Sequence, residues 1–278
     1  MSGQRAPRSF LGRLQGKSAI VTGAGTRGGG FGTGRAIACL FAGEGAQVCL
    51  VDQDRGAARD TLALIEDQGG TAFVATGDVA SPDDCRDFCA ETCERFGGVD
   101  VLVNNVGIAT APSPGADGID IDEWQRIFDT NLKSVLLMSR NCVASMRERG
   151  SGAIVNIASI AGILAYGGMG YGPSKAAMIQ LTRELALVHG ADGIRANAIA
   201  PGHIHTPMLD GLIPDEARAA RRNAGPLGIE GDAWDVARAA LFLASDEARF
   251  ITATCLPVDG GVTAIGSLAA AGLMTRND

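Results

Sequence analysis

Tyr171 and Lys175 stand four residues apart in the run Tyr171-Gly172-Pro173-Ser174-Lys175, at the head of a segment that reads as a helix. At that spacing both side chains project from one helix face, and Pro173 suits a first helical turn. A free phenol, with a pKa of roughly 10, is a poor proton donor or base near neutrality. A neighbouring ammonium favours the phenolate, so the pair is a candidate for moving a proton to or from a substrate oxygen. Spacing alone fits a solvated i, i+4 pair equally well.

A second constellation lies near the start of the chain. The apolar run Ser18 to Val21 ends in Thr22-Gly23 and leads into Gly25, Gly28, Gly29, Gly30, Gly32 and Gly34. Ile37, Leu40 and Phe41 then recur at helical spacing, with Gly43 and Gly45 closing the helix. Strand, glycine turn and helix form a phosphate site, because glycines let the backbone approach a pyrophosphate and the helix N-terminus offers unpaired N–H groups. The periodicity starts directly after Gly34, which puts Gly32 and Gly34 at the turn and at the tight helix–strand contact, flanking Thr33. The next apolar run, Gln47 to Val51, ends at Asp52. A carboxylate there accepts hydrogen bonds from ribose hydroxyls and repels a 2′-phosphate, which points to NAD rather than NADP; it would also serve as a helix N-cap. Arg27 and Arg35 are the nearby cations that a 2′-phosphate would have to recruit.

These residues need a scaffold, and the rest of the chain supplies its pattern. Helices are expected at about 55–68, 82–96, 121–149, 171–189 and 234–244, and strands at about 71–75, 99–103, 153–157, 195–199 and 254–258. This alternation predicts an α/β fold: a doubly wound parallel sheet of the Rossmann type, about seven strands with helices on both faces. Residues 203–232 interrupt it with Pro207, Pro214 and Pro226 around a short Ala/Arg-rich helix, and read as a substrate lid. Residues 17–278 are expected to form one domain and residues 1–16 a partly ordered tail. The small apolar run 268–273 is expected to pack on a neighbouring subunit or on the chain's own core.

Composition narrows the class of partner. A net charge of -7 argues against nucleic acid or an anionic membrane as the main ligand. With 46% apolar and 20% charged residues, the chain can bury a large core. The reading is a cytoplasmic protein with a small-molecule ligand and seven reduced cysteines. Cys85, Cys89 and Cys93 would stack on one helical face, and His203 and His205 flank Ile204, but neither group matches a metal-ligand pattern, so no metal site is expected.

Taken in order, these motifs make the chain resemble the short-chain dehydrogenase/reductase family from about Lys17 to Val262. Thr22-Gly23 with Gly32-x-Gly34 resembles that family's cofactor turn, and Asp78-Val79 its adenine contact. Asn104-Asn105-Val106-Gly107 is similar to its Asn-Asn-Ala-Gly segment, and Pro201-Gly202-x-Ile204-x-Thr206 to the segment after its sixth strand. The resemblance implies an oxidoreductase that moves a hydride between NAD and a secondary alcohol or ketone. It implies that Ser159 bonds the substrate oxygen, Tyr171 exchanges the proton and Lys175 holds the nicotinamide ribose while lowering the tyrosine's pKa. Asn131 would position a water linking Lys175 to solvent, and Thr206 with the Ile204 backbone would grip the carboxamide. Gly23, Gly25, Gly32, Thr33, Gly34, Asp52, Asp78, Val79, Asn105 and Gly107 complete the implied cofactor contacts. A homotetramer joined through the helices bearing Asn131 and Tyr171 is also implied. Ser159 and Asn131 could instead be capping or core hydrogen-bonders. A cofactor-sensing or scaffolding protein without turnover is the other class. Two departures stand out: eight residues separate Gly23 from Gly32 where the family usually has three, and Val106 replaces an alanine.

Overall fold

The computed structural model describes residues 11–26, 28–109, 115–207 and 214–274. Strands β1 (Ser18–Thr22), β2 (Gln47–Asp52), β3 (Thr71–Thr76), β4 (Val101–Asn104), β5 (Gly152–Ile157), β6 (Ile194–Pro201) and β9 (Cys255–Val258) form one parallel sheet. Its order is β3-β2-β1-β4-β5-β6-β9. β1, β4 and β5 are buried along their whole length. Both faces of a parallel sheet are covered, which is why these strands read as unbroken apolar runs.

Helices α1 (Thr33–Gly43), α2 (Arg55–Asp67) and α8 (Ala233–Ala244) cover one face, burying Phe41, Ile65 and Trp234 against it. Helices α3 (Pro82–Phe96), α5 (Ser134–Glu148) and α6 (Tyr171–His189) cover the other with Phe88, Met138 and Leu185. Local signals set the ends: Ser81 caps α3 through the Asp84 N–H, Pro82 sits in its first turn, and left-handed Gly97 ends it. The chain runs outward from β1 to β3 and then returns to β4 on the other side of β1. That reversal opens a crevice at the carboxyl ends of β1 and β4, where open α/β sheets bind ligands.

Three features add detail to the expected pattern. The helix expected over 121–149 is α4 (Ile121–Phe128) and α5 joined by a wide π turn, Asp129–Lys133. The cause is tertiary, since Asn131 in that turn is tied to Ile108 and Ser174. Residues 11–16, the described part of the segment read as a partly ordered tail, are tied to the sheet domain: Leu14 is fully buried, and the N–H groups of Leu11 and Arg13 donate to Glu44. The segment read as a lid is closed at its base by two short strands, β7 (Ile204–His205) and β8 (Gly231–Asp232), paired in parallel. Between them α7 (Asp215–Asn223) is fastened to half-buried Glu230 by Arg218 at 3.1 Å and Arg221 at 2.6 Å. Helix α9 (Ser267–Met274), which holds the apolar run, packs against α7, with Leu268 exposed.

Candidate active site

At the end of β1, Gly23 has φ +66°, and a Cβ on Gly34 would run into its carbonyl oxygen. Glycine is therefore required at position 34 for α1 to start this close to the strand. Helix α1 begins at Thr33 with Gly32 as a cap that offers no side chain, so the first-turn N–H groups face the turn. Thr33 Oγ1 donates to Asn105 Oδ1 at 2.7 Å, and Asn105 Nδ2 donates to the Thr22 and Gly23 carbonyls at 3.1 and 3.2 Å. Asn105 thus joins the ends of β1 and β4 across the crevice.

Asp52 closes β2 with both oxygens engaged, Oδ2 by the Gly25 N–H at 2.8 Å and Oδ1 by the Asp54 N–H at 2.9 Å. The cap of α2 is Asp54, not Asp52. A Cβ on Gly25 would lie 2.9 Å from Asp52 Oδ2 and 2.7 Å from Ala57 Cβ, so this stretch too must be bare backbone. The cradle of glycines, the uncapped helix start and the carboxylate beside them fit a dinucleotide. Asp78 lies exposed on the loop after β3, its N–H donating to Asp84 at 2.7 Å, and Val79 beside it is buried. Arg35 is buried and bonded to backbone carbonyls, while Arg27 lies outside the described residues.

The proton-handling residues converge at the carboxyl ends of β4 and β5. Lys175 is buried, donates from Nζ to the Ile157 carbonyl at 2.8 Å and lies 5.8 Å from the centre of the Tyr171 ring. A Cβ on Gly107 would sit 3.1 Å from Lys175 Nζ and 3.6 Å from Asn131 Oδ1, which places the Asn-Asn-Val-Gly turn against both side chains. Asn131 accepts from the Ile108 N–H at 2.8 Å and donates to the Ile108 carbonyl and to Ser174 Oγ. Ser174, which sequence reading passed over, donates to the Tyr171 carbonyl at 2.7 Å and so ties the π turn to the first turn of α6. Its position inside Tyr-x-x-x-Lys was the available signal.

Burial brings the Lys175 ammonium down to about 7. Burial likewise raises the Tyr171 phenol, and a hydrogen bond with Ser159 pulls it back. In the protein alone, desolvation sets the direction for both groups.

Ile204 and Thr206 follow β6 as expected, but the backbone of Ile204 is engaged within the chain. Its N–H donates to Gly202 and its carbonyl accepts from Arg221 at 3.1 Å. A cavity of about 600 Å³ adjoins this segment, lined by His203, Arg221, Leu227, Ile229, Val258 and Asp259 among others. Tyr166 meets His203 edge-on with ring centres 6.3 Å apart. Ile163, Leu164, Tyr166 and Met169, on the segment between Ser159 and Tyr171, are exposed, as are Leu227 and Ile229. Among the described residues no three His, Cys, Asp or Glu side chains are grouped to hold a metal, and no helix is long and apolar enough to cross a membrane.

Fold and site define a dinucleotide-binding oxidoreductase. A family model described as Enoyl-(Acyl carrier protein) reductase matches residues 29–263. The chain is 41% identical over 255 residues to 3beta-hydroxysteroid dehydrogenase 1 of Eggerthella lenta, covering 90% of this chain and 95% of that one. It is 38% identical to cis-4-hydroxycyclohexanecarboxylate dehydrogenase of Sinomonas cyclohexanicum, covering 89% and 96%. Among solved structures, a 7 alpha-hydroxysteroid dehydrogenase complexed with NADH and 7-oxo glycochenodeoxycholic acid superposes with a TM-score of 0.84 at 35% identity, covering 90% and 95%. The chain belongs to the short-chain dehydrogenase/reductase family. It is an oxidoreductase that transfers a hydride between a nicotinamide cofactor and a secondary alcohol or ketone.

Proposed function

We propose that the chain is an NAD-dependent dehydrogenase of cyclic, largely apolar secondary alcohols, working also as a reductase of the matching ketones. The observation that carries the reaction is the grouping of Ser159, Tyr171 and Lys175 beside Asn131 and Gly107. The nicotinamide supplies or accepts the hydride. Ser159 holds the substrate oxygen, and the Tyr171 hydroxyl gives its proton to a ketone or takes one from an alcohol. Lys175, with a pKa of about 7, exchanges protons near neutrality and binds the nicotinamide ribose. Asn131 keeps Lys175 in reach of solvent through a water. Because the Ile204 backbone is engaged by Gly202 and Arg221, the Thr206 side chain is the better grip for a carboxamide.

The substrate class is supported by exposed Ile163, Leu164, Tyr166 and Met169, with Tyr166 against His203, and by Leu227 and Ile229, which line the cavity with His203; these suit a hydrocarbon ring better than a polyol. Relatives named for steroid and cyclohexane substrates agree with it. A panel of cycloalkanols, sterols and sugar alcohols, followed by absorbance of the reduced cofactor, tests this; turnover confined to sugar alcohols would refute it.

NAD is favoured by Asp52 at the end of β2, whose carboxylate would repel a 2′-phosphate, while Arg35 is bonded to backbone carbonyls. Catalytic efficiency is expected to be at least about tenfold higher with NAD than with NADP, and Asp52→Ala to lose that margin, since a repulsion and a hydrogen bond go together. Equal efficiency in the unmodified chain would show that Asp52 does not face the ribose. A cytoplasmic location is part of the same reading.

Assembly is proposed as a homotetramer. Leu136 on α5 and Leu187 and Val188 on α6 are exposed, as expected of helices that pack against another copy. Light scattering at micromolar concentration is expected to give four times the chain mass; a monomer would refute it.

A further inference from the structure

Described residues of the stretch between Gly23 and Gly32 converge on one buried side chain. Arg35, in the first turn of α1, is 4% exposed, and its guanidinium donates to the Gly30 carbonyl at 2.9 Å and the Thr26 carbonyl at 3.2 Å. It also reaches the Ala57 carbonyl on α2 at 3.3 Å and Thr61 Oγ1 at 3.1 Å, and Thr61 in turn donates to the Ala24 carbonyl. Thr26 Oγ1 accepts the Gly32 N–H at 3.0 Å, closing the loop onto the start of α1. The nearest carboxylate, Asp60, is 4.0 Å away and 73% exposed. The guanidinium's short bonds therefore all go to neutral oxygens, and among the described residues its charge is met only by this long pair to an exposed carboxylate.

We infer that Arg35 is a positioning residue for the dinucleotide: it fixes the path of the inserted glycine loop and holds a buried positive charge under the pyrophosphate turn. This rests on the nicotinamide-cofactor reading above. A buried cation whose only anion is a long pair to an exposed carboxylate is weakly compensated, and an arriving diphosphate adds the missing negative charge. The planar fork is what allows one side chain to reach Gly30, Thr26 and Ala57 together. Because those bonds direct it into the loop, Arg35 recognises what NAD and NADP share and not the 2′-phosphate that separates them.

The test uses the full chain, with NADH, NADPH, ADP and adenosine as probes read by nucleotide fluorescence and displacement. Arg35→Gln is expected to weaken NADH and ADP by about tenfold or more and adenosine by less than about threefold, with kcat at saturating cofactor within about twofold. Arg35→Lys keeps the charge but cannot bridge three carbonyls, so it is expected to fall between wild type and Arg35→Gln. Equal NADH affinity in wild type and Arg35→Gln overturns the inference, as does a loss confined to NADPH. If Arg35→Gln does not fold, Arg35→Lys decides alone, and an unchanged NADH Kd in that variant overturns the inference. A wild-type chain that binds neither NADH nor NADPH overturns the cofactor reading itself.

Discussion

Tyr171→Phe is expected to lower turnover by on the order of a hundredfold or more while leaving NADH affinity within about twofold. The substitution removes only the hydroxyl, and the fold contacts of this residue run through its backbone, where the carbonyl accepts from Ser174 Oγ. Ser159, which bonds the hydroxyl, would be left to hold the substrate oxygen without a proton source. The ring and its place beside Lys175 are kept. Steady-state kinetics with a titration of NADH measures both quantities, and retained turnover would show that the proton travels by another group.

Lys175→Met is expected to lower turnover by about a hundredfold as well, and to weaken NADH binding, because one side chain is proposed to serve both the ribose and the proton path. It carries a further signature in stability. The Lys175 ammonium titrates at about 7 in the fold against an ordinary 10.5, so between those values the unfolded chain binds more protons than the folded one. Stability of the unmodified protein therefore rises with pH through that window, and the cost of burying the charge is fully present below about 7. Methionine has no such cost. The gain in Tm of Lys175→Met over the unmodified protein should be largest near pH 6.5 and fade towards pH 10. A gain that does not vary with pH would mean that Lys175 is not desolvated.

Much of this was legible in the sequence because the signals are local. The unbroken apolar runs of β1 and β4 marked strands, and the onset of periodicity after Gly34 put Gly32 and Gly34 at the turn into α1, which begins at Thr33. What escaped depends on partners distant in the chain. The π turn at Asn131 exists through bonds to Ile108, and apolar spacing in the helix carries no trace of them. Arg35 read as a nearby cation that a 2′-phosphate would have to recruit, whereas it is buried and bonded to the Gly30, Thr26 and Ala57 carbonyls. The desolvation of Tyr171 and Lys175 escaped for the same reason: spacing reveals the pair, but only packing reveals how little water reaches it.

The pairing of Ile204 with Gly231 and His205 with Asp232 gives the substrate side of the molecule a modular character. Both ends of the intervening segment are anchored beside the sheet, and Asp232 also opens α8 through a reciprocal capping box with Asp235. Closing a loop between fixed ends costs only about 0.6 kcal/mol more for each doubling of its length. Residues between the two short strands can therefore be exchanged, lengthened or shortened at little thermodynamic expense to the sheet that carries Ser159, Tyr171 and Lys175. A lineage could change the shape of the alcohol it accepts by grafting in this one stretch, with the chemistry inherited unchanged.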